Sequence, residues 1–215
     1  MTARRRSRIA VLVAGAALTA LTAAGCSSAF PGSAASVGDT RIAETTIGEQ
    51  LRALNTTLGQ PADTPSTIAT TGLVTQGVTG ELIQATAAEV GVSVTQSQID
   101  EAYAVEVQQI GGVPALEQAA AQSFVPPSEI NAFLGNRLTF SLIAQALEPQ
   151  GTPEQQQAAA IQAIVDKGDE IGIYVAPKYG EWSPAQLTIV PAADPLSKPA
   201  EQPQSALDPL APPTP

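Results

Sequence analysis

Histidine is absent from the 215 residues. That removes His-based catalytic triads, imidazole metal ligands and histidine proton shuttles together. Cysteine occurs once, as Cys26, so neither an internal disulfide nor a thiolate metal cluster can form. Aromatic residues are scarce, and basic residues are outnumbered ten to 20 by acids. Four of those ten are Arg4, Arg5, Arg6 and Arg8, in a segment that holds no acid. Beyond Gly25, six basic residues therefore face 20 acids, a net charge of −14. Such a chain repels nucleic acid, and no basic stripe offsets this. Missing too are the glycine-rich phosphate loops, the G-x-S-x-G elbow and the zinc and calcium spacings. Asp100-Glu101 and Asp169-Glu170 are adjacent acids, which point in different directions on a helix and read as solvated surface charge. No enzyme activity, metal or cofactor is expected.

What is present begins with TARRRSRIAVLVAGAALTALTAAG at residues 2–25. An arginine-rich start precedes an apolar run of about 15 residues, short for a bilayer span. Small residues, Ala23-Ala24-Gly25, end the run directly before Cys26, the layout of a bacterial lipobox. The lone cysteine thus stands where a diacylglyceryl group would be attached. The expected organisation is a lipoprotein signal over residues 1–25, a flexible spacer over 26–35, a folded domain over 36–190 and a tail over 191–215. The spacer is rich in Ser, Gly and Ala. The tail contains eight prolines and too little apolar surface to offset its chain entropy. On the order of 150 residues remain for a core, enough for one domain that buries roughly 70% of its unfolded surface.

Within that domain the pattern is mainly helical. Ser36–Ile42 reads as a short hairpin or edge strand turning at Gly38-Asp39. Thr46 and Glu49 have capping-box spacing and predict a helix start, with Ile47, Leu51 and Leu54 on one face. Residues 55–66 (NTTLGQPADTPS) read as a loop, and Asn55-Thr56-Thr57 matches a glycosylation sequon by spelling alone. A long helix follows over 68–90, with Val74, Val78, Leu82 and Ala85 on one stripe. Its Gly72, Gly77 and Gly80 each cost about 1 kcal/mol against alanine and point to close helix packing. Thr95 and Gln98 cap the next helix, which carries Ile99, Tyr103, Val107 and Ile110 and stops at Gly111-Gly112. Val113, Leu116 and Ala120 make one face of a shorter helix. A further helix starts near Pro127-Ser128 and is apolar over more than half its circumference. Such a helix is sandwiched between neighbours or leaves a face for something else. Thr152, Pro153 and Gln155 start the last helix, with Ala158, Ile161, Ile164 and Val165 inward and Gly168 as its stop. Ile171–Val175 and Leu187–Val190 then alternate as strands.

The runs VSVTQSQID and GGVPALEQAAAQSFVPPSEINAFLGNRLTFSLIAQAL resemble the N-terminal helical module of SurA, shared with PrsA-type and PpiD-type extracytoplasmic foldases. VGDTRIAETTIGEQL resembles the short strand, turn and acidic helix start of the same families. APKYGEW, residues 176–182, is similar to a stretch carried by actinobacterial members without an isomerase domain, with Ala176 in place of their usual Asn. The resemblance covers roughly residues 36–185 and implies a SurA-like helical bundle with a small β element formed by segments near the two chain ends. It also implies a membrane-anchored, chaperone-like binder of unfolded exported polypeptides on the outer face of the cell membrane. The few residues between Leu147 and Thr152 leave no room for the parvulin prolyl isomerase domain that SurA and PrsA insert. Phe133, Phe140 and Ile143 are the candidate client-binding residues. The rival reading is an envelope module that docks one dedicated protein partner. For APKYGEW the alternatives are structural closure of the domain and a free aromatic platform.

Overall fold

In a computed structural model of the chain, residues 31–192 are described. The expected signal, Cys26 and nearly all of the proline-rich tail lie outside the described residues. Six helices and five short strands follow in the order β1 (Ser33–Val37), β2 (Thr40–Ala43), α1 (Glu44–Thr57), α2 (Thr67–Val90), α3 (Gln96–Ile110), α4 (Val113–Gln122), α5 (Ile130–Leu147), α6 (Pro153–Ile171), β3 (Ile173–Val175), β4 (Glu181–Ser183) and β5 (Thr188–Val190). The protein is mainly α, with antiparallel sheets built near its two ends, as the sequence predicts.

The hub is α2. It packs on α1, α5, α6, β1, β2 and β5, and its Val74, Val78 and Leu82 are fully buried. Its glycines explain how one helix serves so many neighbours. A Cβ at Gly72 would lie 2.6 Å from Phe124 Cδ2, one at Gly77 3.0 Å from Ile42 Cδ1, and one at Gly80 2.7 Å from Asn136 Nδ2. The helix-propensity cost of three glycines is offset by contacts that no larger residue permits. Phe124 itself adopts a left-handed backbone (φ 60°), held there by its ring against Gly72.

Segments from the two chain ends close the domain. β1 is the central strand of a three-stranded sheet, between β2 and β3. Ala35 faces Ile42 on one side and Val175 on the other. All five β1 residues are buried, so Ser33, Ala34 and Ala35 are small because α2 lies over them. The folded domain therefore begins at or before Ser33, and the expected spacer boundary at residue 35 is corrected. The turn at Gly38 (φ 54°) is as expected, since a left-handed residue there costs glycine nothing. β4 and β5 form a separate hairpin, Trp182 opposite Ile189.

Helix boundaries differ from expectation in α1 and α6. α1 begins at Glu44 and not at the Thr46–Glu49 pair: Ala43 is its N-cap, and no side chain caps it. The Glu44 N–H donates instead to the Gly32 carbonyl (3.0 Å), so the incoming chain satisfies a donor that a capping box would otherwise serve. α6 runs through Gly168 to Ile171 and stops at Gly172, φ 78°. Gly168 is buried against Ile173 and Leu82, where a Cβ would stand 3.0 and 3.4 Å from their side chains. It is a packing glycine, not a terminator, and Ile171 ends the helix rather than starting a strand. The inward face of α6 is Ala160, Ile164 and Gly168, whereas Ala158 is exposed. The capping boxes at Thr95–Gln98 and Thr152–Gln155 both form.

Candidate functional site

α5 crosses α2 over Gly80 and also touches α3 and α6. Its apolar circumference divides unequally among them. Ile130, Leu134, Ile143 and Ala144 are buried, while Phe133 keeps 42% of its surface exposed. The division follows from helical geometry: Leu134, three turns or fewer from Ile143, faces the neighbours, and Phe133 lies about 100° away from Leu134.

Phe133 and Phe140 stand on one wall of an open groove of about 360 Å³ between α1, α2 and α5. Leu73, Ile83 and Pro126 add apolar surface to it, and Gln50, Gln76, Glu129 and Arg137 ring it with polar groups. Of the three candidate client-binding residues, the structure brings Phe133 and Phe140 together there. Ile143 is corrected: it is fully buried in the main core, so it supports the fold and touches no ligand. Phe140 also packs against that core, which fixes the ring at the groove base, while Phe133 projects from the rim. Glu129, Gln50 and Gln76 are groove residues that the sequence does not single out. Only the spacing of Glu129, Phe133 and Arg137 at steps of four residues hints that they share a stripe.

Each cation among the described residues already has a partner. Arg137 pairs with Glu106 (2.5 Å), Arg52 with Asp63 (3.0 Å), and Lys178 with Glu44 (2.8 Å). Lys167, its side chain 11% exposed, joins Glu170 on its own helix to Glu89 on α2. Arg41 donates to the Pro31 carbonyl. Hydrogen bonds from Lys167 to the Glu170 and Glu89 carboxylates raise its pKa, and the Glu44 carboxylate does the same, more than Tyr179 does, for Lys178. The main chain at the start of α6, with the Thr152 hydroxyl, lowers the pKa of Glu154, as expected of an acid at a helix N-terminus.

APKYGEW closes the domain. Tyr179 and Trp182 pack part-buried against the main core, and Lys178 binds the first residue of α1. Trp182 Nε1 is buried and has no acceptor among the described residues. Asn55, the sequon residue, is buried, and its Nδ2 donates to the carbonyls of Ala62 and Thr64 (2.9 and 2.8 Å). That amide organises the loop after α1. Among the described residues no group of three or more His, Cys, Asp or Glu could hold a metal ion, and no helix is long and apolar enough to cross a membrane. Comparisons with protein-family models, curated proteins and solved structures find no match to this chain.

Proposed function

We propose that this protein is a lipoprotein, anchored through Cys26 to the outer face of the cell membrane, that holds unfolded exported polypeptides without isomerising their prolines. The observation that carries the reading is the groove beside α5: a partly exposed phenylalanine at its rim, a second at its base, and apolar walls from two further helices. Grooves of several hundred Å³ with apolar walls and a few polar groups are the usual form of a binding site, and isolated large apolar side chains gain most when a partner covers them. The resemblance of the helical segments to SurA-type foldases and the lipobox pattern before Cys26 point the same way. Burial of a client's apolar side chains against Phe133 and Phe140 would be reversible, since nothing in the groove is a nucleophile with a base beside it.

The rival, a module for one dedicated partner, draws on another patch. Around the α3–α4 corner Val105, Ile110 and Val113 are 44, 38 and 39% exposed, and α3 buries no residue fully. A photocrosslinking amino acid, p-benzoylphenylalanine, placed at position 133 or 110 in living cells separates the two. Many exported polypeptides captured from position 133 support holding in the groove. One stoichiometric band, strongest from position 110, replaces the holding reading by the dedicated module.

A further inference from the structure

β3 leaves one edge of its sheet open among the described residues. In its pairing with β1, the Gly38 N–H donates to the Gly172 carbonyl and the Ala176 N–H to the Ala34 carbonyl (both 2.9 Å), with Tyr174 opposite Ser36 between them. Main-chain groups alternate in direction along an antiparallel strand. The N–H and carbonyl of Ile173 and of Val175 therefore point away from β1, and they have no hydrogen-bond partner among the described residues. β4 does not take them, since it pairs with β5. A depression of about 490 Å³ lies there instead, lined by β3, by Glu181 and Trp182 of β4, and by Asp169 and Gly172 at the end of α6. Such an edge invites pairing with another chain unless something covers it.

The chain itself arrives at this place. β5 ends with the Val190 carbonyl against Gly180, Ala192 lines the same depression, and residues 193–215 follow it. The first prolines of that stretch, Pro191, Pro195, Pro199 and Pro203, recur every four residues. In an extended strand residues two apart share a side, so all four prolines turn their missing N–H the same way. Proline is tolerated in an edge strand on that condition, with the N–H side facing solvent. Polyproline II, at three residues per turn, would scatter the same prolines around its axis. Strand addition is held by main-chain hydrogen bonds and so does not draw on the apolar area that the tail lacks.

We infer that residues 193–198 of the proline-rich tail add to β3 as an antiparallel fourth strand of its sheet and keep that edge from pairing with another chain. A segment that leaves Ala192 near Pro177 and runs back toward Asp169, along the residues that line the depression, lies antiparallel to β3. The even-numbered residues then exchange hydrogen bonds with it, Asp194 with Val175 and Leu196 with Ile173. Pro195 falls opposite Tyr174, where no N–H is called for. Attachment to the same chain favours the tail over any free strand. Nothing in this pairing depends on what the groove beside α5 holds.

Amide hydrogen exchange, read by NMR on the full processed protein in detergent, tests the pairing at Ile173 and Val175. Both amides should exchange about tenfold slower in the unaltered protein than in the Leu196→Pro variant, which puts a proline where a paired N–H is needed. Ser197→Pro adds a proline on the outward side and should leave both amides protected. Equal exchange of the two amides in all three proteins would overturn the pairing. Protection lost to Ser197→Pro as fully as to Leu196→Pro would overturn the strand geometry. Protection that falls on dilution, alike in all three proteins, would give the edge to a second copy of the chain and overturn the tail as its occupant.

Discussion

Replacing Ile143 and Phe133 in turn separates core from groove. Ile143 is fully buried among the residues of the main core. Truncation to alanine removes three carbons at about 0.8 kcal/mol each and leaves a cavity that close-packed helices fill only in part. The expected loss is about 3 kcal/mol, within the range of about 2–5 kcal/mol for such changes. Phe133 is 42% exposed, so Phe133→Ser forfeits just over half of the roughly 1.5–3 kcal/mol that full burial contributes, about 1 kcal/mol. The hydroxyl stays wet at the groove rim and adds little cost. Urea unfolding followed through Trp182, the one tryptophan of the chain, reads both changes on one scale. With a slope of about 2 kcal/mol/M, Ile143→Ala lowers the midpoint by about 1.5 M and Phe133→Ser by about 0.5 M, at unchanged slope. A Phe133→Ser loss as large as that of Ile143→Ala would refute the division of α5 into a packed face and a free one. A loss below about 1 kcal/mol for Ile143→Ala would refute the placement of the core.

Other perturbations bear on single contacts. Gly48 lies inside α1 without a positive φ, and a Cβ there would meet nothing within 4 Å. Gly48→Ala should therefore stabilise by about 0.5–1 kcal/mol and raise the thermal midpoint by a few degrees in a calorimetric scan. Asn55→Ala removes both amide bonds to the loop carbonyls of Ala62 and Thr64 and should cost about 2 kcal/mol in urea. Asn55→Asp, which turns donors into acceptors facing those carbonyls, should cost more. Lys167 has a raised pKa, first through Glu170 and then Glu89. Its contribution is therefore complete below the unfolded value near 10.5 and lost as pH climbs through the higher folded value. Lys167→Met should flatten the alkaline fall of the urea midpoint above that pH. Cys26→Ser should move the protein from the membrane fraction to the soluble one, and retention in the membrane would refute lipidation at that residue.

Where the sequence spoke through local chemistry it was legible. The capping pairs Thr95–Gln98 and Thr152–Gln155 form because each side chain meets its own helix start, three residues away. The hairpin at Gly38 and the helix stop at Gly111 rest likewise on a backbone angle that glycine alone adopts without strain. Misreadings came from contacts distant in sequence. Thr46–Glu49 has the right spacing, yet Gly32 reaches Glu44 first and starts the helix earlier. Gly168 looks like a stop only until Leu82 and Ile173 are seen against it. Ser33–Ala35 reads as spacer by composition, whereas burial under α2 is what requires small residues there. The same limit applies to the site. An α5 that is apolar over more than half its circumference announces a helix with many neighbours, but which flank they leave bare depends on α1 and α2, so Phe133 and Ile143 look alike in sequence. Asn136 carried no signal because its neighbours, Gly80 and Gln84, come from another helix.

The holding function stands or falls most directly on aggregation of a chemically unfolded exported protein, diluted into buffer and followed by light scattering with and without the processed protein. The account predicts suppression at near-stoichiometric amounts, weakened by Phe133→Ser in a protein whose helical circular dichroism is intact. Unchanged aggregation in the presence of the folded, unaltered protein would contradict it.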